Sequence, residues 1–112
     1  MRKYLFIFSL SGEAMGRFIQ SPSDRAEAVR KLAEAAGGTL DAYYWMFGQY
    51  DGIVIVSMPD SHAAAAVGLA ISGSGALAHL ETHELIEAGN ILTLTERAKE
   101  LQSSYSAPGA SS

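Results

Sequence analysis

Apolar positions along this chain recur with two periods, that of a strand and that of a helix, and the switches between them mark its elements. Residues 3–9 alternate, with Tyr4, Phe6 and Phe8 on one face of a strand and Leu5 and Ile7 on the other, so both faces are apolar. Residues 10–20 read as a loop holding a helical turn around 14–19. In "SPSDRAEAVRKLAEAAGG" the period changes: Ala26, Val29, Leu32, Ala33 and Ala36 recur at helical spacing opposite Glu27, Arg30, Lys31 and Glu34. Ser21 is the expected cap, with Pro22 at the first helical position and Asp24 near the positive end of the dipole, and Gly37-Gly38 ends the helix.

A second strand is predicted over 39–47 and a third over 51–58, joined as a hairpin. Ile53, Val54, Ile55 and Val56 leave the third strand no polar side, which is the pattern of a central strand covered on both faces. Pro59 stops it, and Asp60 caps a second helix to about residue 71, apolar nearly all round and closed by "SGSG" at 72–75. Residues 77–86 alternate again as a fourth strand. Leu77, His79, Glu81, His83 and Leu85 share one of its faces, and Ala78, Leu80, Thr82 and Ile86 the helix-packed one. Thr93 and Glu96 form a capping box for a short terminal helix with Leu94, Ala98 and Leu101 on one side.

The order β-α-β-β-α-β is the α+β, ferredoxin-like pattern: a four-stranded antiparallel sheet with two helices on one face, plus the short C-terminal helix. It makes a single domain of residues 1–102, followed by a flexible Ser-rich tail, 103–112. The helix-free face carries large apolar side chains and needs cover, which a second copy packing sheet to sheet supplies most simply, as a homodimer.

Composition narrows the partners. Hydrophobic residues make up 48% of the 112 and charged residues 18%, a low charge supply for covering a small monomer and a second reason to expect an apolar interface. With a net charge of −4 and scattered Lys and Arg there is no basic stripe, so no direct nucleic-acid partner is expected. The absence of cysteine excludes disulfides, Cys-containing zinc sites and thiol nucleophiles. No stretch approaches the ~18 apolar residues of a spanning helix, so no membrane partner is expected. The start "MRKYLFIFSL" reads as a strand rather than a signal peptide, and a cytoplasmic setting is the default.

Gly48-Gln49-Tyr50-Asp51, followed by the apolar third strand, resembles the signature of the GYD-domain family. "SLSGEAMGRFIQSPSDRAEA", with Gly16, Ser21-Pro22 and Arg25 at the matching places, is similar to that family's first loop and helix start. "AEAAGGTLDAYYWMFGQYDGIVIVSMPD" is similar to its middle, so the resemblance spans about residues 4–85. It implies a dimeric α/β barrel of ferredoxin-like fold and brings no assigned reaction. The same Gly-x-Tyr-Asp turn resembles the effector-binding domain of leucine-responsive (feast/famine) regulators, where such a corner lies near an amino-acid site between subunits. No helix-turn-helix precedes it here, so direct gene regulation is not implied.

Three groups of residues carry candidate chemistry. At the corner, Gly48 suits a positive φ, and Asp51 can accept the backbone N–H bonds that hold a turn, with ligand contact as its second role. Another register would centre a type I′ turn on Asp51-Gly52; turn chemistry leans that way, whereas the resemblance favours a turn at Gly48. In "HLETH", His79, Glu81 and His83 invite a metal reading, but at about 3.3 Å per residue the two imidazoles stand ~13 Å apart, too far for one ion, so no metal is expected. The remaining readings of this face are a solvated or interfacial strand and a polar wall of a ligand cavity. In the second strand, Tyr43, Trp45 and Phe47 share a face that serves as core and interface or as an aromatic wall near the histidines.

Arg25 and Tyr50 complete the candidate ligand contacts. A cation in a helix's first turn is locally unfavourable, so Arg25 points to an anionic partner or ligand, or simply to solvation. "GSGAL" leads into a strand and is no phosphate loop, and there is no nucleophile elbow. The expected function is small-molecule binding or sensing at the sheet face or dimer seam, without a cofactor. The alternative is a cofactorless enzyme, monooxygenase- or isomerase-like as in related dimeric barrels, acting on a small aromatic or carbonyl metabolite. There His79 or His83 would move the proton, Glu81 would orient it, and Tyr43 and Trp45 would be the walls. A purely structural interaction protein is the third reading.

Overall fold

Strand β1 (Arg2–Leu10) lies inside a four-stranded antiparallel sheet, between β3 (Gly52–Met58) and β4 (Leu77–Leu85), with β2 (Thr39–Trp45) on the outer edge beside β3. This arrangement comes from a computed structural model, which describes residues 1–109. Helices α1 (Gly12–Gln20) and α2 (Arg25–Ala35) connect β1 to β2, α3 (Ser61–Gly73) connects β3 to β4, and α4 (Ile91–Gln102) follows a 3-10 turn at Ala88–Asn90. The fold is α+β and ferredoxin-like, as the element order predicts.

The strand registers sort side chains into rows. On the helix-covered face the rows are Glu84, Tyr4, Val56, Leu40; then Thr82, Phe6, Val54, Tyr43; then Leu80, Phe8, Gly52, Trp45. Tyr4, Phe6, Phe8, Val54, Val56 and Met58 are buried there against Ala33 of α2 and Ala64 and Val67 of α3. On the opposite, open face the rows are Leu85, Lys3, Ser57, Thr39; then His83, Leu5, Ile55, Ala42; then Glu81, Ile7, Ile53, Tyr44. Leu5, Ile7, Ile53 and Ile55 are only half-buried, so β1 and β3 are apolar on both faces but covered on one.

Two irregularities set these faces. The β2–β3 register skips Asp41, which puts Leu40 and Tyr43 on the same side. The extra residue reverses the alternation beyond it. The β1–β4 register likewise skips Ala78. Leu77, expected beside His79, therefore packs against the core from the helix side.

Three helix starts differ from the sequence expectation. The loop at 10–20 is a full helix, because the Ser11 hydroxyl accepts the Ala14 N–H at 3.1 Å and Glu13 pairs with Arg17 at 2.6 Å, offsetting the low helix propensity of Gly12 and Gly16. Ser21 closes α1, so the cap of α2 falls to Asp24, whose carboxylate accepts the Glu27 N–H at 3.1 Å. Thr93 lies inside α4, which begins at Ile91 as the continuation of the 3-10 turn and has no side-chain cap bond. The Asp60 cap of α3 is as expected, accepting the Ala63 N–H at 2.8 Å.

Helix α4 stands off the body. Its residues are exposed along its whole length, including Ile91, Leu92, Leu94 and Leu101, and its main contacts are with the 3-10 turn before it. The chain accordingly measures 62 × 32 × 23 Å with a radius of gyration of 18.3 Å, against about 13 Å for a compact domain of this length. Residues 103–109 are exposed turn and coil, and the rest of the expected tail, 110–112, lies outside the described residues. No helix among the described residues is long and apolar enough to cross a membrane.

Candidate functional site

The corner "FGQYDG" joins β2 to β3 through residues 46–51, and each of its characteristic residues has a separate task. Gly48 has φ +142°, a conformation that a side chain disfavours. Gly52 has no positive φ, so a type I′ turn on Asp51-Gly52 is excluded and the turn at Gly48 stands. Gly52 is required by space: a Cβ there would sit 2.6 Å from the Phe8 ring and 2.8 Å from the Tyr44 carbonyl.

Asp51 pins the corner to β1. Its carboxylate accepts the Leu10 N–H at 2.8 Å, its own N–H donates to the Phe8 carbonyl at 2.9 Å, and its carbonyl accepts the Met46 N–H at 2.8 Å. The Ser9 hydroxyl donates to the Gln49 carbonyl at 3.3 Å. The corner is thereby folded over the end of β1 towards β4.

Tyr50 uses that placement to reach the histidine strand. Its ring stacks on His79 with centroids 5.3 Å apart and planes 25° apart, and the Glu81 carboxylate near its hydroxyl raises the phenol pKa. His79 Nε2 lies 2.8 Å from one Glu81 oxygen and His83 Nε2 3.0 Å from the other. Hydrogen bonds from His79 and His83, with the Tyr50 hydroxyl nearby, outweigh desolvation and pull the Glu81 carboxyl down to about 2. With each Nε2–H donated to Glu81, a neutral imidazole keeps Nδ1 free as a base or acceptor. The three β4 side chains are partly exposed, on the open face beside Leu5 and Ile7. Among the described residues no three His, Cys, Asp or Glu groups converge on a metal position.

Tyr43 and Trp45 are not part of this array. They stand on the helix-covered face, so the aromatic and histidine walls lie on opposite sides of the sheet and cannot line one cavity within a chain. Phe8 meets Tyr43 and Trp45 edge-on at 5.8 and 5.7 Å, and Phe18 of α1 stacks on Trp45 at 5.4 Å with planes 12° apart. Phe47, beyond the strand, is fully exposed. Burial pushes the Tyr43 hydroxyl up to about 12, with the nearby Arg25 cation acting in the opposite direction. Arg25, Tyr43 and Trp45 edge a cavity of about 70 Å³ between the sheet and helices α2 and α3.

A polar cluster at the far corner of the open face was not among the candidates. Lys3 of β1 donates to Asp41 at 2.8 Å, Ser57 of β3 donates to the same oxygen, and Thr39 donates to the other at 2.9 Å. Burial works against ionising Asp41, but the bonds from Lys3, Ser57 and Thr39 lower its pKa, and Lys3 is raised in return. The available signal was one carboxylate inside a strand of apolar residues.

The sequence model of the GYD domain matches residues 4–94, through the corner and the histidine strand alike. The chain belongs to the GYD-domain family. Among solved structures, TTHA0845 from Thermus thermophilus is similar at a TM-score of 0.51 and 17% identity, covering 79% of this chain and 96% of its own. Hypothetical protein PHS023 from Pyrococcus horikoshii gives 0.50 and 14%, covering 80% and 95%. FFRP-DM1 gives 0.48 and 15%, covering 77% and 100%. At these identities the likeness to the first two speaks to the fold of the GYD domain alone. No curated protein matches the chain.

Proposed function

We propose that this GYD domain is a homodimeric binding module that takes a small molecule at the seam between two open sheet faces. The observation that supports this reading is the Tyr50, His79, Glu81, His83 array, built into the margin of a face whose centre is Leu5, Ile7, Ile53 and Ile55. An apolar centre with polar groups at its edge is the composition of an interface core and rim, and the Lys3–Asp41 cluster supplies the opposite corner. A second copy would desolvate the array and enclose the two free Nδ1 atoms, which offer hydrogen-bond acceptors to a ligand. The projecting α4 presents further apolar surface for the same partner.

A thermal-shift screen of small metabolites, run beside sedimentation, tests the proposal. A dimer at micromolar concentration, with a ligand-induced shift lost in a His79→Ala, His83→Ala double variant, is the expected outcome. A monomer, or a screen in which no ligand's shift is lost in the double variant, overturns the seam site. The 2.8 Å His79–Glu81 contact also favours a second reading, a cofactorless enzyme with an oriented histidine base. Turnover of a screened ligand that falls sharply in Glu81→Gln would select it, and binding without turnover would reject it.

A further inference from the structure

On the other side of the sheet, the cavity of about 70 Å³ is walled by apolar side chains, among them Phe8, Val29, Val67 and Ile71. The residues with polar groups in its lining are Arg25, Tyr43 and Trp45. A neighbouring groove of about 300 Å³ shares Leu10, Arg25 and Ala76 with it and adds Arg17, Ser21 and Ser23. Arg25 therefore stands between a groove of mixed polarity and an apolar chamber.

Of the four arginines that precede α4, it is the one without a carboxylate partner among the described residues. Arg17 and Arg30 each hold a glutamate, whereas Arg25 has no carboxylate within ion-pair distance among the described residues and donates only to the Ser23 hydroxyl, at 3.4 Å. The adjacent Asp24 uses its carboxylate to cap α2. A cation at the first position of a helix gains nothing from the helix dipole, so an external anion is the group that would complete the site. Size selects the rest of the ligand: a cavity of about 150 Å³ takes benzene, so half that volume takes about three or four carbons and excludes a ring.

We infer that the GYD domain carries a small-molecule site on the helix side of the sheet for a short aliphatic carboxylate. The tail occupies the cavity and the carboxylate pairs with Arg25, beside the Ser21 and Ser23 hydroxyls. This site is independent of the seam, since it shares no residue with the histidine array.

Trp45 is the only tryptophan and lines the cavity, so its fluorescence reports occupancy directly. Titration with 3-methylbutanoate is expected to give a saturable change with a Kd of about 1 mM or below. The neutral isostere 3-methylbutanol and the Arg25→Gln variant should each bind at least about tenfold more weakly, the loss of one charge-assisted contact. Ile71→Phe, which fills the cavity, should abolish the response, and benzoate should not bind. The His79→Ala, His83→Ala variant should bind normally, which separates this site from the seam. No saturable change with the acid, or equal affinity in the surface variant Arg25→Gln, overturns the inference. Benzoate binding as tightly as the branched acid would overturn the size assignment.

Discussion

Asp51 and Glu81 show how differently two carboxylates of one small domain are used. Asp51 is an internal fastener: its carboxylate accepts the Leu10 N–H where the corner lies over β1. Asp51→Ala is expected to destabilise the fold by about 1–3 kcal/mol in urea denaturation, and Asp51→Asn by less, because an amide oxygen still accepts. Unchanged stability in Asp51→Ala would assign the residue to ligand contact instead. Glu81 works at the surface, held at about 2 against an ordinary 4.5. Its folded-state pKa is depressed, so its stabilising contribution is complete above pH 4.5 and is lost as pH falls through about 2. In acid, the melting temperature of the native chain should therefore fall faster than that of Glu81→Gln, and parallel curves would deny the hydrogen-bonded array.

At the scale of elements, caps and bulges decide what the periodic pattern leaves open. Both Ser21 and Asp24 are good caps by residue type, and the choice between them depends on α1 reaching Gln20 and using Ser21 as its own end. Asp24→Ala should cost about 1 kcal/mol and Ser21→Ala much less, measured by thermal or chemical unfolding. Equal losses would place the start of α2 at Pro22. The bulges at Asp41 and Ala78 act on strands in the same way that caps act on helices. One inserted residue moves every later side chain to the other face, so Leu40 joins Tyr43 and Leu77 leaves His79.

At the scale of the molecule, the sheet has one covered face and one open face, and α4 reaches away from both helices and sheet. Under the proposed pairing of open faces, a charge placed there should separate the two copies without harming the monomer. Ile55→Asp, on a half-buried outward position, is expected to weaken self-association by about a hundredfold, the effect of roughly 3 kcal/mol from a desolvated charge, while the far-UV spectrum is retained. Sedimentation velocity checks it, and a dimer of unchanged strength would move the interface to another surface.

Local pattern alone determined the order of the strands and the two crossover helices, the two-sided apolar character of β1 and β3, and the Asp60 cap, since each depends on neighbours a few positions away, whereas the turn at Gly48 came from the family resemblance against the lean of turn chemistry. The resemblance at Gly48-Gln49-Tyr50-Asp51 supplied the family, which the match over residues 4–94 bears out. Tertiary structure decided which candidates meet. Tyr50 joined His79, Glu81 and His83, whereas Arg25 joined Tyr43 and Trp45 on the reverse side of the same sheet. The reason is register: the face a side chain takes depends on bulges and on pairing with distant strands, and those are settled only when the sheet closes around its core.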